Sequence, residues 1–344
     1  PGHRVGCLLV HGLHPDTEGA ATEPMREDHP MAEVTVVGGG VVGLTSALEL
    51  ARAGHEVRCV RDQPVAETVS AVAGGLWFPY HVEPRDRVVA WGAVALARFA
   101  DLSGDPASGV VMSEGLLVER GPADRWWTQS VPSWRDASGA ELPEGATGGV
   151  VATVPLVTMP VFLPWLEMQC RDAGVAFEQA HVSTLDGLEG DVVVVAAGLR
   201  SGALVDDDAG MPSRGQVALL ENPGLTRWLV DDDHPDGLLY VLPHPGWVVC
   251  GGTDVSGSWD TQPDPQVHDA IVRRVRDAVP ALATARVIGP RVGLRPVAPE
   301  VSLTASDIGG RVVVTNHGHG GAGVTLSWGC AEEVVRLVGE AAGL

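Results

Sequence analysis

The feature that most constrains how this chain folds is a glycine-rich turn, VVGGGVVGL, at residues 36–44. The β-branched run Val34–Val37 predicts a strand, and the apolar spacing from Val41 to Ala53 predicts a helix that Gly54 ends. A second strand, EVRCV, follows directly. A GxGxxG pattern inside a complete βαβ unit is typical of dinucleotide binding, so the sequence predicts a parallel sheet with such a site at its edge.

Each glycine of this turn has its own task. Gly38 makes the tight turn, Gly40 lets a pyrophosphate approach the backbone, and Gly43 lets the helix pack close to the strand. The amides of Val41 and Val42 then face the phosphates at the positive end of the helix. A glycine turn without any ligand is the alternative, and the order of strand, helix and second strand favours binding.

The end of the second strand carries two candidate ribose contacts. Asp62 stands where a carboxylate binds a ribose hydroxyl, and Arg61 before it is a residue type that can accept a 2′-phosphate. The motif alone does not separate NAD from FAD.

A second glycine-rich turn, NHGHGGAGVTLSWG, lies near the other end of the chain at residues 316–329. Two further segments have a related character. DVVVVAAGLRSG at 191–202 predicts a buried parallel strand that ends beside a cofactor, and AVAGGLWFPY at 71–80 adds a glycine pair followed by aromatic residues. A nicotinamide enzyme usually needs one dinucleotide turn, whereas an elongated flavin is often covered by further segments, so this pattern favours a flavin.

The composition excludes several classes of function. A formal charge of −21 argues against nucleic acid as a partner, and no apolar stretch approaches the ~20 residues of a membrane span. All 23 basic residues are arginine, which excludes lysine Schiff-base chemistry and a P-loop lysine. The five cysteines form no CxxC pair, which predicts reduced thiols, a cytoplasmic protein and no metal site.

Residues 1–30 differ from the remainder of the chain. A short apolar patch, GCLLVHGL, without the pattern of a signal peptide is followed by a polar stretch interrupted by proline. We expect a tag or flexible extension here, followed by a fold that begins at Met31.

Several segments, taken together, resemble the D-amino-acid oxidase family in its bacterial type, a family that also includes D-aspartate oxidase. They stand in the family's order and comprise GGGVVGL at 38–44, AGGLWFPY at 73–80, RGQ at 214–216, LLYVLPHPG at 238–246, GGTD at 251–254, VGLRPVAPEV at 292–301 and NHGHGGAGVTLSWGCA at 316–331. The resemblance implies non-covalent FAD, and an α/β fold with a discontinuous Rossmann-like FAD-binding domain and a mainly antiparallel-sheet substrate domain. It also implies a D-amino acid and dioxygen as substrates.

The resemblance implies cofactor contacts from both ends of the chain and from segments between them. These are Gly38, Gly40, Val41, Val42, Gly43, Arg61, Asp62, Ser70, Gly74, Gly75, Leu76, Val182, Gly198, Arg295, Gly320, Gly321, Gly323, Val324 and Thr325. The late turn would wrap the flavin end and line the substrate pocket, with the carbonyl of Gly321 facing the substrate's amino group.

The expected reaction moves the Cα hydrogen, as hydride, to flavin N5; dioxygen then gives hydrogen peroxide, and the imine hydrolyses to a 2-oxo acid and ammonia. Arg295 in GLRP is the candidate cation for the substrate carboxylate, because a guanidinium binds a carboxylate bidentately. Tyr240 can donate to the same carboxylate, and Tyr80 is a further candidate for the pocket or for packing beneath it. A surface arginine and a core tyrosine are the alternatives. No side-chain base is needed if the amine enters neutral, so we interpret His317 and His319 as structural.

Two departures from the family pattern bear on the substrate. The stretch DDDHPDGLLY before Tyr240 is shorter than in animal members, which predicts a more open entrance. Ala298 stands where members often have an arginine, which favours neutral or hydrophobic D-amino acids over D-aspartate, unless Arg200 or Arg291 reaches the pocket. A D-aspartate oxidase and a glycine- or sarcosine-type amine oxidase are the alternatives.

The expected domains are discontinuous in sequence. The FAD-binding domain should comprise residues 31–80, 150–215 and 290–344, and the substrate domain residues 81–149 and 216–289. Helices are predicted from Val161 to Ala173, in QVHDAIVRRVRDAVPAL and in EEVVRLVGEAA. The sequence leaves open whether the chain forms a homodimer.

Overall fold

A computed structural model describes residues 31–207, 210–341 and 343, together with Gly2. The expected extension at residues 1–30 lies, apart from Gly2, outside the described residues, and so does Cys7. Met31–Leu344 form one compact unit.

The strands of the described residues are β1 Glu33–Val37, β2 Glu56–Arg61, β3 Val110–Glu119, β4 Trp134–Asp136, β5 Gly148–Val157, β6 Ala176–Gln179, β7 Val192–Val195, β8 Met211–Glu221, β9 Trp228–Asp231, β10 Leu239–His244, β11 Trp247–Gly251, β12 Val255–Ser256, β13 Val287–Ser302, β14 Ala305–Ile308, β15 Arg311–Thr315 and β16 His317–His319. The α-helices are α1 Val41–Arg52, α2 Val69–Val72, α3 Arg85–Leu102, α4 Met159–Asp172, α5 Ser201–Val205, α6 Pro265–Ala278 and α7 Gly323–Ala341.

The strands form two sheets of different character. The first has six strands in the order β14-β15-β7-β1-β2-β6, parallel except for the β14–β15 pair. The second has ten strands in the order β16-β13-β8-β11-β10-β9-β3-β5-β4, with β12 also paired to β8. All of its pairs are antiparallel except β3–β9.

This architecture confirms the predicted fold class. The βαβ unit is present as β1, α1 and β2, and the three strands that complete the parallel part of its sheet come from distant parts of the chain. The helix expected from Val161 to Ala173 is α4, followed by β6, and the other two expected helices are α6 and α7. The domain boundaries stay a prediction; β5 and β13, which overlap stretches assigned to the cofactor domain, belong to the ten-stranded sheet.

The parallel sheet is buried by apolar residues of β-branched type, as a sheet covered on both faces requires. The run Val192–Val195 is at most 1% exposed at each position. Helix α1 packs against α7, and the hydroxyl of Thr45 donates to the carbonyl of Ser327 across that contact at 3.1 Å. The first and last helices of the described fold are thereby joined. No helix in the described ranges is long and apolar enough to span a bilayer.

The contact between α7 and α3 depends on one glycine. A Cβ on Gly329 would lie 2.3 Å from the backbone oxygen of Trp91, which is too close for two non-bonded atoms. A Cβ on Gly339, in the same helix, would have nothing within 4 Å of it. An alanine at 329 therefore tests the close packing of the two helices, whereas an alanine at 339 tests helix propensity alone.

Gly329→Ala should lower the free energy of unfolding by about 1–3 kcal/mol, because the methyl group forces the two helices apart. Gly339→Ala should raise it by about 0.5–1 kcal/mol, because alanine loses less backbone entropy on entering a helix. Urea unfolding of both variants beside the parent protein checks this, and a change of the same sign in both would contradict it.

Candidate active site

The first glycine turn packs directly against neighbouring backbone, because its glycines have no side chains. Gly38 has φ +127°, and a Cβ there would lie 2.3 Å from the carbonyl oxygen of Ala196, directly after β7. A Cβ on Gly43 would lie 2.0 Å from the carbonyl oxygen of Gly38. Both positions bring backbone against backbone, so any other residue would open the turn.

Gly40 occupies a more open position in the same turn. A Cβ there would meet only the hydroxyl oxygen of Ser70, at 3.1 Å. Helix α1 begins at this point without a side-chain cap, and the amide of Val41 donates to that hydroxyl at 3.0 Å. The N-terminus of a helix, with amides that lack carbonyl partners in their own helix, is thus presented where the pattern places a pyrophosphate.

The two candidate ribose contacts at the end of β2 already have protein partners. Arg61 donates two hydrogen bonds to Glu167 of α4, at 2.9 and 2.8 Å, and stacks over the ring of Phe177. The hydrogen bond to Glu167 raises the pKa of Arg61, and its charge is balanced within the protein. Asp62 forms an ion pair with Arg200, so Arg200 lies at the edge of the parallel sheet.

The segment after α2 is fixed on the ten-stranded sheet. Gly75 has φ +77°, and a Cβ there would lie 1.9 Å from the carbonyl oxygen of Val157 in β5. A Cβ on Gly74 would lie 2.5 Å from the side chain of Leu242 in β10. The carbonyl of Gly74 accepts a hydrogen bond from Nε2 of His244 at 3.0 Å. At these two glycines the segment passes so close to β10 and β5 that a side chain has no room.

The late glycine turn lies against the first one. A Cβ on Gly323 would contact the side chains of Val42 at 3.8 Å and Val41 at 4.0 Å, at the N-terminus of α1. Gly318 and Gly320 have φ of +84° and +54°, a backbone conformation that favours glycine. Two turns about 280 residues apart in the chain thus meet at one place in the fold.

The other side of the late turn faces the candidate substrate residues. A Cβ on Gly321 would lie 3.0 Å from the ring of Tyr80 and 3.7 Å from Cδ of Arg295. The amide of Gly320 donates to the carbonyl of Pro296 at 2.8 Å, which fixes the turn to β13 beside that arginine. The turn therefore connects the N-terminus of α1 with the guanidinium.

Arg295 is held in β13 opposite β8. Its register partner is Ser213, and a Cβ on nearby Gly215 would lie 2.6 Å from Nη1, so glycine at 215 leaves room for the guanidinium in this position. Nη1 donates to the carbonyl of Thr253 at 3.1 Å. The side chain is 18% exposed, which makes it a half-buried cation rather than a surface arginine.

Tyr240 lies beside the guanidinium. In the β10–β11 pair it stands opposite Gly251, where a Cβ would lie 1.8 Å from Cζ of the ring; a Cβ on Gly252 would lie 2.9 Å from the hydroxyl. Burial raises the pKa of Tyr240, although the charge and hydrogen bond of Arg295 act in the opposite direction. The phenol therefore stays protonated and able to donate.

Sequence reasoning missed two members of this cluster, Asp254 and Ser213. Tyr80 donates to Oδ2 of Asp254 at 3.1 Å, and the hydroxyl of Ser213 donates to Oδ1. That Oδ1 lies 3.8 Å from Nη1 of Arg295. Burial and Asp254 raise the pKa of Tyr80. The signal for Asp254 was its place in GGTD, directly after the strand end that faces Tyr240.

Other predicted cofactor residues occupy buried or partly buried supporting positions. The hydroxyl of Thr325 donates to the carbonyl of Phe78 at 2.9 Å and accepts from its amide at 3.0 Å, which joins α7 to the aromatic segment. Leu76 forms a bridge with Leu156 of β5. Val324, in the first turn of α7, is 6% exposed.

Two further predicted contacts lie along the parallel sheet. Gly198 begins a short 3-10 turn just after β7, with φ +60°. Val182 lines a hollow of about 360 Å³ beside β2 and β6, together with Thr35 and Arg58. The contact with a cofactor predicted for each stays a prediction.

The two histidines of the late turn are buried. Burial lowers the pKa of His319 to about 3, with a smaller contribution in the same direction from His317. Burial also lowers the pKa of His317, against the charge of Asp207. A histidine with such a low pKa is a weak base at neutral pH, which agrees with a structural interpretation.

Trp126 and Trp127, which follow β3, lie close to Tyr80. With Asp232 they line a cavity of about 490 Å³ that Tyr80 also borders, and the ring of Trp127 packs edge-on against Phe78 at 5.3 Å. Within the described ranges no group of three or more His, Cys, Asp or Glu side chains is placed to hold a metal ion. The cysteines described there are buried and unpaired: Cys59, Cys170, Cys250 and Cys330.

Comparison with known proteins agrees with this geometry. A family model described as FAD dependent oxidoreductase matches residues 33–337. The chain is 43% identical to a D-amino-acid oxidase of Rubrobacter xylanophilus over 90% of this chain and 97% of that protein. It is 44% identical to a D-amino-acid oxidase of Streptomyces coelicolor, over 92% and 99% of the two chains. A solved glycine oxidase from Bacillus cereus, 20% identical, has the same fold with a TM-score of 0.74 over 90% of this chain and 95% of that one.

The burial of His319 predicts a pH-dependent stability. Its pKa falls from an ordinary 6.5 to about 3 on folding, so between these values the unfolded chain binds a proton that the folded chain does not. The contribution of neutral His319 to the free energy of unfolding is therefore fully present above about pH 6.5. As the pH decreases below that value, this free energy decreases by ~1.4 kcal/mol per pH unit for one such group. Unfolding of the parent protein and of His319→Asn at about pH 6.5 and 5.5 should give a shallower slope for the variant; equal slopes would contradict this.

Proposed function

Because the chain belongs to the family of FAD-dependent oxidoreductases, we propose that it is an oxidase of neutral or hydrophobic D-amino acids. It oxidises them to imino acids, which hydrolyse to 2-oxo acids and ammonia, and it reduces dioxygen to hydrogen peroxide. Relatives that are 43% and 44% identical over nearly their whole length bear the name D-amino-acid oxidase, which supports this proposal.

The turns at both ends of the fold fit the cofactor of this family. The α1 N-terminus begins at Gly40, where a Cβ would meet only the Ser70 hydroxyl, and the absence of a Cβ on Gly321 lets the backbone of the late turn approach Tyr80 closely. We assign FAD contacts to the first turn, to Ser70 and to Gly320–Gly323. When bound, the flavin accepts the hydride from the substrate Cα and passes the electrons to dioxygen.

The substrate carboxylate is assigned to Arg295 and Tyr240. A guanidinium offers two parallel donors to a carboxylate, and the adjacent phenol adds a third. Three donors on one carboxylate fix its orientation, so that the Cα–H bond has one direction relative to the late turn. Alignment of this kind is the main contribution a protein makes to a reaction carried by its cofactor.

The α-amino group is assigned to the carbonyl of Gly321, which accepts a hydrogen bond from a neutral or charged amine. This turn lies beside Arg295, since a Cβ on Gly321 would be 3.7 Å from the arginine side chain. The buried histidines have pKa values lowered by burial and are poor bases, so the amine loses its proton to solvent before hydride transfer.

One observation carries the proposal: the late glycine turn touches the N-terminus of α1 on one side and Arg295 on the other. A panel of D- and L-amino acids, with hydrogen peroxide release as the measurement, tests it. D-methionine should give peroxide and L-methionine none. Faster turnover of D-aspartate than of D-methionine would favour a D-aspartate oxidase, turnover restricted to glycine and sarcosine would favour an amine oxidase, and no turnover at all would overturn the proposal.

Arg295→Ala should reduce kcat/KM for D-methionine by about 30- to 4,000-fold, because loss of one partner of a partly buried charge pair costs about 2–5 kcal/mol, at 1.4 kcal/mol per tenfold. The visible spectrum should still show bound flavin, since the glycine turns hold the cofactor. Arg286→Ala is the matched control, because Arg286 is 71% exposed and pairs with Glu221 at the surface. Parent-like activity in the Arg295 variant would contradict the role.

A further inference from the structure

The segment that contains α2 and the residues after it connects the two ends of the proposed site. Ser70 accepts a hydrogen bond from the amide of Val41 at 3.0 Å, at the N-terminus of α1. At the other end of the segment, the ring of Tyr80 lies 3.0 Å from where a Cβ on Gly321 would stand. An FAD with its pyrophosphate at α1 and its ring beside the substrate must pass the residues between them, 74–76.

The carbonyls and the amides of residues 74–76 have different partners. Nε2 of His244 donates to the carbonyl of Gly74 at 3.0 Å, and the amide of Val157 donates to the carbonyl of Gly75 at 2.8 Å. The amides of Gly74, Gly75 and Leu76 donate to no protein atom among the described residues. Gly75 is buried, and a buried amide without an acceptor is rare, so these donors indicate a ligand with acceptor atoms.

The planarity of the peptide bond links each of these carbonyls to the amide that follows it. In a trans peptide, the C=O of one residue and the N–H of the next point in opposite directions. The bond from His244 to Gly74 therefore fixes the direction of the Gly75 N–H, and the bond from Val157 to Gly75 fixes that of the Leu76 N–H. A donor at the carbonyl oxygen also polarises the peptide, which strengthens its N–H as a donor.

The imidazole of His244 is itself held in one orientation. His244 is the last residue of β10 and is 4% exposed, and its ring stacks on that of Trp247. Its Nδ1 is hydrogen-bonded to the hydroxyl of Thr158 at 3.1 Å. A carbonyl oxygen can only accept, so Nε2 carries the proton toward Gly74, and Nδ1 of the neutral ring accepts from Thr158. Burial lowers the pKa of His244, which favours this neutral form.

We propose that His244 is a positioning residue for the flavin, which acts through the carbonyl of Gly74 to orient and polarise the Gly75 amide toward an acceptor atom of the isoalloxazine ring. Reduction adds negative charge to the ring, and donors fixed in advance stabilise such charge. His244 therefore favours the reduced cofactor over the oxidised one and raises the reduction potential. The inference rests on the cofactor of the proposed function and is independent of the identity of the substrate.

The reduction potential of the bound flavin tests this inference without any substrate, by anaerobic equilibration of the holoenzyme with a reference dye. His244→Leu removes the donor, so the potential should become more negative than in the parent protein. The dissociation constant of FAD should rise about two- to twelvefold, which corresponds to one hydrogen bond with a net worth of about 0.5–1.5 kcal/mol.

Two further substitutions at the same position separate the donor from the packing of the ring. His244→Phe keeps a ring against Trp247 but has no donor, so it should shift the potential in the same direction, and it provides the measurement if the leucine variant does not fold. His244→Gln has an amide donor near the position of Nε2 and should return the potential toward the parent value. A shift in His244→Gln as large as that in His244→Phe would contradict the role of the donor.

Asn222→Ala is the matched control. Nδ2 of Asn222 donates to the backbone carbonyl of His244 at 3.0 Å, so its loss loosens the same strand end while the imidazole keeps its bond to Gly74. This variant should lower the free energy of unfolding and leave the reduction potential at the parent value. An equal negative shift of the potential in Asn222→Ala would show a general structural effect and overturn the inference.

The outcomes distinguish the inference from the proposed function. The predicted response of the potential to His244→Leu and His244→Phe would support the inference even if no D-amino acid is turned over. If D-methionine gives peroxide while the parent and both of these variants have the same potential, the inference fails and the oxidase assignment stands. A parent protein that does not bind FAD would overturn both.

Discussion

The contact on which the rest of the structure depends is the passage of the late glycine turn between the N-terminus of α1 and the side chains of Tyr80 and Arg295. A Cβ on Gly321 would lie 3.0 Å from the ring of Tyr80, a tight contact, whereas one on Gly323 would touch Val42 at 3.8 Å. A larger residue at 321 would press on Tyr80 and Arg295, and one at 323 on the N-terminus of α1. The two ends of the fold therefore meet through backbone, and the helix that follows, α7, is packed against α1 to hold them there.

The second constraint is the charge of one guanidinium. Arg295 contacts the Thr253 carbonyl, Tyr240 and, more distantly, Asp254, and Gly215 leaves the space that it occupies. A half-buried arginine with this set of neighbours is prepared to bind an anion, because a new carboxylate gains two donors and exchanges few existing hydrogen bonds.

Local pattern was enough to predict the βαβ unit, the strand at Val192–Val195 and the helices at either end, because strand and helix periodicity are properties of neighbouring residues. Arg295 and Tyr240 were predicted as site residues because each stands in a motif. Asp254 was missed because its partners come from β8 and from the segment after α2, and only strand register brings them together. The pairing of Arg61 with Glu167 was likewise hidden, since it joins β2 to a helix 106 residues later in the chain.

Anaerobic reduction of the bound cofactor by a single D-amino acid tests the central claim most directly, since it needs the cofactor, the two turns and the guanidinium in one place. The purified protein should be yellow, and D-methionine without oxygen should bleach its visible flavin bands while L-methionine leaves them unchanged. A colourless protein that FAD cannot reconstitute, or a flavin that both enantiomers leave oxidised, would contradict the account.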